Sequence, residues 1–175
     1  AEGFAFTHVF ATVPVCTPAR AEILTGRSPF RNGVRYFGHR MHPGLMNLAR
    51  AFSGAGYLTA YAGKWHNDGS PADHGFEVTR RVFQGGMRPH EMAFEEDGKK
   101  VSGFSSEVFA GAAIELIESS PRRPWFLQVS FTAPHDPRTP PGRFKSMYPP
   151  EAMPLPANFM PEHPFDNGEL KIRDE

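Results

Sequence analysis

The 175-residue sequence contains a single cysteine, so it can form no internal disulfide bond. It also has no excess charge of either sign, because 19 Lys and Arg residues balance 19 Asp and Glu residues, and this leaves no global electrostatic attraction for nucleic acid. No apolar run approaches the roughly 20 residues of a membrane helix, and we therefore expect no membrane span. Because 39% of the residues are apolar, the composition excludes a disordered chain and indicates a globular one.

Several functional motifs are absent as well. There is no CxxC or HExxH pattern for a zinc site, and no GxGxxG or GxxxxGK[ST] loop for a nucleotide phosphate. Basic and aromatic residues are not interleaved, so nucleic acid is not expected as a partner. The chain begins at Ala1 without a secretion leader and closes without a terminating signal, and we expect it to be a piece of a longer protein.

The sequence does contain apolar segments that alternate between strand and helix periodicity. Strands are predicted at 4–12, 57–62, 76–83 and 125–132, and helices at 17–26, 45–53 and 105–119. Segment 85–103 is rich in polar residues and predicted to be irregular or a hairpin. Ten of the 18 prolines follow residue 133, which argues against regular helix or central strand there. The alternation predicts an α/β fold with a partial parallel or mixed sheet and flanking helices, followed by a Pro-rich C-terminal segment.

The first candidate site residue is Cys16, which precedes a predicted helix. Thr17 is a suitable N-cap, Pro18 suits the first helical position, and Gly26 suits the end of the helix. A helix N-terminus offers unpaired N–H groups and a positive dipole, and Arg20 lies one turn into the same helix. Cys16 and Arg20 therefore indicate an anion site with a nucleophile, although a lone cysteine is also a common small core residue.

Two further groups follow predicted strands. Lys64 and His66 come after one of them, and on an extended segment their side chains share one face, which suits a tetrahedral anion. His135 follows the most apolar strand, between two prolines that stiffen its loop. Ligands of parallel α/β sheets lie at the carboxyl ends of the strands, so these residues and Cys16 are predicted to converge. The alternatives are a solvated loop-edge pair and a turn histidine.

The other residue types that ligate metals have less context. His8, His39, His42, His74, His90 and His163 are predicted to be structural or exposed, and Asp68, Asp73 and Asp97 to form turns. Asp166 and Asn167 look like a ligand pair for a hard cation, but no apolar strand leads into them. The sequence therefore predicts no complete metal site.

Three segments resemble the motifs of the type I sulfatase family. Residues 16–27, CTPARAEILTGR, match its C-x-P-x-R signature followed by L-T-G, and residues 63–66, GKWH, resemble its second motif. Residues 133–137, APHDP, resemble its third motif, a histidine between prolines after a buried strand. The three segments occur in family order, and the resemblance covers residues 4 to about 145.

The resemblance implies a fold, a domain division and a modified residue. Residues 1–175 would be part of one sulfatase catalytic domain with an incomplete alkaline-phosphatase-like core, in which residues 1–135 carry the motifs and 136–175 form a Pro-rich loop segment. Cys16 would be oxidised to formylglycine by a formylglycine-generating enzyme. The hydrated aldehyde would attack the sulfur of a sulfate ester near a calcium ion, form a sulfated intermediate, and then expel sulfate.

Residue roles are implied by the same resemblance. Cys16, as formylglycine, would be the nucleophile and one metal ligand, and Arg20 would steady the diol. Lys64 would bind the sulfate oxygens, His66 would be the base for the second hydroxyl, and His135 would be the proton donor to the leaving alcohol or a sulfate ligand. The implied substrate is a sulfated small molecule or glycan, and the implied location is secreted or periplasmic.

One part of the family pattern is missing from this chain. The family's calcium site takes an Asp–Asp pair upstream of the signature, but none of the 15 residues before Cys16 is Asp. It takes a second pair downstream, and Asp166-Asn167 follows His135 too closely to match it. We therefore expect the remaining calcium ligands outside this chain, and we expect the isolated chain to be inactive. Two alternatives stay open: a related phosphate or phosphonate ester hydrolase, and a truncated, non-catalytic sulfatase-like domain.

Overall fold

A computed structural model describes residues 3–86, 90–119, 122–162 and 164–165 of the chain. The chain divides into two units, Ala1–Thr139 and Pro140–Glu175. His163 and the candidate cation pair Asp166 and Asn167 lie outside the described residues.

The described residues contain five strands and five α-helices. The strands are β1 (Leu58–Lys64), β2 (Val78–Phe83), β3 (Glu91–Glu96), β4 (Lys99–Phe104) and β5 (Trp125–Ser130). The helices are α1 (Cys16–Thr25), α2 (Pro29–Asn32), α3 (Leu48–Gly54), α4 (Ser105–Glu118) and α5 (Gly142–Lys145). Single turns of 3₁₀-helix occur at Ala72–His74 and Pro150–Ala152. None of the helices in this described part of the chain has the length and apolarity needed to cross a bilayer.

The first unit is built on a three-stranded parallel sheet with the order β2–β1–β5. The central strand pairs Thr59 with Phe126 on one side and Ala60 with Val78 on the other. Helices α3 and α4 contact the sheet, while β3 and β4 form a separate antiparallel hairpin. The α/β class with a partial parallel sheet and flanking helices is confirmed, and the segment predicted as irregular or a hairpin contains a hairpin.

Aromatic side chains hold the main core of this unit together. Tyr61, Trp65 and Phe76 are buried and meet edge to face, with ring centroids 5.1–6.3 Å apart. Leu24 of α1 and Ala49 of α3 belong to the same cluster. Burial of aromatic rings is a large stabilising term in a small domain. Trp65 is therefore a packing residue of this core.

The strand predicted at 4–12 is wrong. The structure describes this segment from Gly3 onward and has no strand in it, and Phe4, Phe6, Val9 and Phe10 are all at least 74% exposed. A strand is stable only when a neighbouring strand accepts its hydrogen bonds, and none of the described strands lies beside this segment. The alternation of residues in this segment therefore indicated a strand, but no described strand pairs with it.

β5, the most apolar of the predicted strands, lies at one edge of the sheet formed by the described strands, and its residues are half-buried apart from the exposed Trp125. The prediction for the start of α1 needs correction. Helix α1 begins at Cys16 with Val15 as its N-cap, so Thr17 is not the cap but a buried helical residue. The end of the helix is as predicted, because Gly26 caps it with a left-handed φ of 62°.

The second unit, Pro140–Glu175, has little regular structure in its described part. It contains the one-turn helix α5 and the 3₁₀ turn Pro150–Ala152, and no described residue of it forms a strand. This agrees with the proline content, because proline lacks the N–H group that helices and sheets require.

Candidate active site

A pocket of about 540 Å³ lies where β1 and β5 end. Four of the five predicted site residues line it: Cys16 and Arg20 from α1, Lys64 from the end of β1, and His135 from the loop after β5. The sequence-based prediction that these residues converge is therefore correct for four of them. The fifth, His66, lines a neighbouring pocket of about 260 Å³.

Helix α1 presents one face to this pocket. Its lining positions are Cys16, Ala19, Arg20 and Ile23, which have the spacing of a single helical face. The buried residues Thr17, Pro18, Ala21 and Leu24 lie on the other side and anchor the helix in the protein. Cys16 is half-buried and stands in the first turn, where backbone N–H groups lack helical acceptors. The helix therefore delivers both the thiol and the guanidinium to the same pocket.

A bulge at Gly63 sets the position of Lys64. The register between β1 and β2 shifts between Ala62 and Gly63, and Gly63 adopts a φ of 102°. A Cβ atom on Gly63 would lie 2.1 Å from the carbonyl oxygen of Ser130, so only glycine fits. Bulges beside active sites commonly redirect the next side chain, and here that side chain is the lysine.

The Lys64 side chain is held in place by uncharged partners. Its ammonium donates to the carbonyl of Gly86 at 3.0 Å, and the side chain is 1% exposed. Its own carbonyl accepts hydrogen bonds from Arg20 Nη1 at 2.8 Å and from the Tyr61 hydroxyl. Burial, and secondly the nearby Arg20, lower the pKa of Lys64, whereas Cys16 acts in the opposite direction.

The pocket has two fixed cations and no carboxylate among its described lining residues. Arg20 and Lys64 make their hydrogen bonds to backbone carbonyls, which do not cancel a positive charge. A buried positive charge without a counter-ion is costly, and a bound anion relieves that cost. The geometry is therefore that of an anion-binding site with a thiol at its wall.

The backbone conformation at His66 differs from the predicted one, and the side chain lines the neighbouring pocket. Its φ of 52° shows that the extended segment ends before it, so the argument that Lys64 and His66 share one face of a strand is wrong. Its ring stacks on Phe37 with centroids 5.6 Å apart, and its buried Nδ1 atom has no hydrogen-bond partner among the described residues.

The charges of the pocket nevertheless act on His66. Burial lowers its pKa first, and Lys64, Arg20 and His135 lower it further. The neutral imidazole is therefore favoured. A neutral imidazole with an unused ring nitrogen is suited to accept a proton.

His135 stands on a loop with a buried polar support. Its backbone N–H donates to the Thr132 carbonyl at 3.0 Å, and its own carbonyl lies 3.0 Å from His90 Nε2. His90 is 4% exposed, so of the two alternatives offered for it, structural and exposed, the structural one applies.

Sequence reasoning missed several residues around this pocket. Gln128 and Ser130 line it from β5, and Gly86 supplies the carbonyl that holds Lys64. One signal was available for the first two: they are polar residues two apart in an otherwise apolar strand, so they share one face. No signal in the sequence links Gly86 with Lys64, because 22 residues separate them.

The described residues do not fit a calcium site. Among them, no group of three or more His, Cys, Asp and Glu side chains lies close enough together to hold a metal ion. Calcium prefers six to eight oxygen ligands, and the pocket instead offers one thiol, one imidazole and two cations.

Comparison with known proteins places this chain in a family. The family model described as Sulfatase matches residues 1–159. The chain is 30% identical to the ulvan-active sulfatase of Formosa agariphila, covering 92% of this chain and 34% of that protein. It is 28% identical to the N-acetylglucosamine-6-O-sulfatase of Bacteroides thetaiotaomicron, covering 93% of this chain and 30% of that protein.

Solved structures share the fold. A structure in complex with its substrate D-glucosamine-2-N,6-O-disulfate superposes with a TM-score of 0.71 at 26% identity, covering 87% of this chain and 31% of that chain. The phosphonate monoester hydrolase of Silicibacter pomeroyi superposes with a TM-score of 0.60 at 21% identity, covering 85% of this chain and 38% of that chain, which shows the fold alone. The chain spans about a third of the length of these curated relatives. Because the family model matches most of its length, the chain belongs to the sulfatase family, within the alkaline-phosphatase-like superfamily.

Proposed function

We propose that the chain is the active-site segment of a longer sulfuric ester hydrolase that acts on sulfated carbohydrates. The observation that carries this proposal is the pocket of about 540 Å³ where Cys16, Arg20, Lys64 and His135 meet without a carboxylate among its described lining residues. The length of the curated relatives supports the longer parent, because residues 1–175 correspond to about a third of each. On this proposal the whole chain is part of one catalytic domain, with residues 1–135 as the core and 136–175 as a Pro-rich segment.

Sulfatases in general use formylglycine, and Cys16 is the residue of this chain that would become it. The fit is supported by the position of Cys16: it is half-buried, it lines the pocket, and it stands at a helix end with free N–H groups. When formed, this group supplies a hydrated aldehyde whose hydroxyl is a nucleophile toward sulfur. No step is assigned to calcium, because the described residues do not form a site for it.

The other residues have roles that their surroundings support. Lys64 and Arg20 would neutralise the sulfate oxygens, since both are held by carbonyl groups and no carboxylate of the described residues lines the pocket with them. His66 would take a proton from a hydroxyl at position 16, because its lowered pKa favours the neutral imidazole. His135 would donate a proton to the oxygen of the leaving alcohol, since it lines the same pocket as Cys16.

The substrate class, partners and location are inferred from the relatives. A sulfated glucosamine is the substrate in one structural neighbour, and ulvan and N-acetylglucosamine sulfate esters give two relatives their names. We extend this to a glycan sulfate ester as the substrate of the parent protein. A formylglycine-generating enzyme would be its maturation partner, and a secreted or periplasmic location would suit its polymeric substrate.

The direct test is to produce the full-length parent protein together with a formylglycine-generating enzyme and to measure both modification and turnover. Mass spectrometry of the Cys16 peptide should show a loss of about 18 Da, the difference between thiol and aldehyde. The matured parent should hydrolyse 4-nitrophenyl sulfate faster than 4-nitrophenyl phosphate. Faster turnover of the phosphate ester would instead favour a phosphate or phosphonate ester hydrolase.

Two results would contradict the proposal outright. One is an active protein whose Cys16 peptide keeps its thiol mass. The other is a fully modified parent that binds a sulfated glycan but hydrolyses no ester, which is the behaviour of a non-catalytic domain.

A further inference from the structure

A cluster of three buried polar side chains lies behind the His135 loop. His90 directly precedes β3, Ser105 is the first residue of α4, and Thr132 lies two residues beyond β5. Their exposed fractions are 4%, 0% and 6%. Burying three polar groups is costly unless they satisfy one another, so this cluster has a structural or functional reason.

The hydrogen bonds of the cluster connect it directly to His135. His90 Nε2 lies 3.0 Å from the carbonyl oxygen of His135, and His90 Nδ1 lies 3.2 Å from Thr132 Oγ1. The hydroxyls of Ser105 and Thr132 are 2.7 Å apart. Because a carbonyl oxygen only accepts hydrogen bonds, His90 Nε2 must carry the proton and donate it.

Two arrangements of protons satisfy the cluster, because the Ser105 hydroxyl also lies 3.4 Å from His90 Nδ1. Either Ser105 donates to Thr132 and Thr132 to His90 Nδ1, or Thr132 donates to Ser105 and Ser105 to His90 Nδ1. In both arrangements His90 Nε2–H donates to His135. The backbone adds two further bonds, from Ser105 N–H to the His90 carbonyl at 2.6 Å and from His135 N–H to the Thr132 carbonyl at 3.0 Å. A fully satisfied buried network is rigid, and this one ties three elements to one loop.

The His135 ring itself has little else to hold it. Among the described contacts its ring makes one hydrogen bond, from Nδ1 to the Asp136 carbonyl at 3.3 Å, within its own loop. Its position relative to Cys16 and Lys64 is therefore set mainly by its backbone. That backbone is held by His90.

We infer that His90 is a positioning residue for the reaction: its Nε2–H bond to the His135 carbonyl places the His135 imidazole where it protonates the leaving alcohol. This inference rests on the proposed function of the pocket. It assigns a role to a buried histidine that is not among the described lining residues of the site pocket. It also explains why a polar trio occupies a place where apolar side chains would be cheaper to bury.

The role has a kinetic signature that a purely structural role lacks. Protonation of the leaving group matters most when the leaving alcohol is a weak acid, and such catalysis contributes roughly 10²–10⁴-fold. A misplaced His135 should therefore slow hydrolysis of phenyl sulfate far more than that of 4-nitrophenyl sulfate, because 4-nitrophenolate leaves without help. A smaller fraction of folded enzyme would slow both substrates by the same factor.

The test compares two His90 variants of similar size in the matured full-length parent. In His90→Met the donor is lost, and we expect kcat/KM to fall about 10²-fold for phenyl sulfate but less than about threefold for 4-nitrophenyl sulfate. In His90→Gln an amide N–H replaces Nε2–H, and we expect most of the phenyl sulfate activity to return. Equal losses on both substrates, or no difference between Gln and Met, would overturn the inference.

A second variant covers the case in which His90→Met does not fold. Thr132→Val keeps the side-chain shape and removes the hydroxyl that orients His90, and the same selective loss on phenyl sulfate is expected, whereas a uniform loss counts against the inference. Failure of the proposed function would look different, because the wild-type parent would then hydrolyse neither ester.

Discussion

The first unit contains two charged pockets of similar size, and only one of them is arranged to bind an anion. The site pocket measures about 540 Å³, and a second pocket, lined by residues that include Arg50, Asp68, Asp73 and His74, measures about 590 Å³. In the second pocket the carboxylates contact other side chains of the protein. Asp68 lies 3.6 Å from His74 Nε2, and the Asp73 carboxylate accepts two hydrogen bonds from Ser70 at 2.8 Å.

The site pocket differs because no described carboxylate lines it, whereas Asp68 and Asp73 line the second pocket. Volume and the number of cations are similar in the two pockets, and in both of them the described arginine hydrogen bonds go to backbone carbonyls, so none of these features distinguishes them. The difference lies in whether carboxylates line the same pocket as the cations. A pocket whose cations are uncompensated keeps its affinity for an external anion.

The largest effect is expected from removing the residue that only the site pocket has. Cys16→Ala deletes the precursor of the nucleophile, and we expect turnover of 4-nitrophenyl sulfate by the matured parent to fall by about 10³-fold or more. The free energy of unfolding should change little, because Cys16 is half-buried and is a free cysteine. Retained activity in this variant would mean that the chemistry lies elsewhere.

The second largest loss of activity is expected when a carboxylate is introduced into the site pocket, as in the second pocket. Gln128→Glu places a carboxylate of nearly the same shape in the pocket of Lys64 and Arg20, and we expect kcat/KM for sulfate esters to fall about 10²-fold. Gln128→Met is the matched control, since it is similar in size and carries no charge, and its loss should be much smaller. Similar losses in both variants would show that shape, not charge, decides binding.

The pKa of His66 provides a third comparison of the pockets. Burial and then Lys64 lower this pKa below 6.5, so the imidazole is neutral above its lowered pKa and turnover should fall only when the pH drops below it. Lys64→Gln removes one positive neighbour, and the pKa of His66, followed by NMR titration of the ring, should rise.

Arg50→Gln is the matched control for that titration, because it removes a cation from the second pocket instead. The His66 titration should be unchanged in this variant. A rise of equal size in both variants would show that His66 senses the overall charge of the protein rather than the site pocket.

The smallest effect is expected from Asp73→Asn in the second pocket. Turnover should stay within about twofold of wild type, because Asp73 caps a turn and does not line the site pocket. Hydrogen bonds from Ser70 lower the pKa of Asp73 below 3.8, so its carboxylate stabilises the fold above that pH and the contribution is lost as the pH falls through the lowered pKa. The variant should therefore show a flatter decline of the unfolding midpoint as the pH falls below 3.8. An unchanged decline would contradict the assignment.

The candidate site could be predicted from the sequence wherever a local rule places a side chain. The helix observed at residues 16–25 was predicted at 17–26 from Thr17, Pro18 and Gly26, although Thr17 is not its cap. Lys64 was predicted to follow a strand, and it lies at the end of β1. His135 follows an apolar strand, and strands of a parallel sheet end at one edge. These are short-range features, and they brought four of the five residues to the same pocket.

The rest depended on contacts between distant parts of the chain. The exposed segment at 4–12 has strand periodicity but no described partner, and β5 is apolar yet lies at an edge, because pairing is decided by neighbouring strands and not by the strand itself.

The sequence by itself therefore determined which residue types stand at the strand and helix ends, since local periodicity, capping and turn chemistry act over a few residues. Only the tertiary structure decided that the Gly86 carbonyl accepts a hydrogen bond from Lys64 and that the His135 carbonyl accepts one from His90. It also decided that burial and neighbouring positive charges lower the pKa of His66. Those relations join residues up to 45 positions apart, where hydrogen bonds and electric fields depend on distance in space.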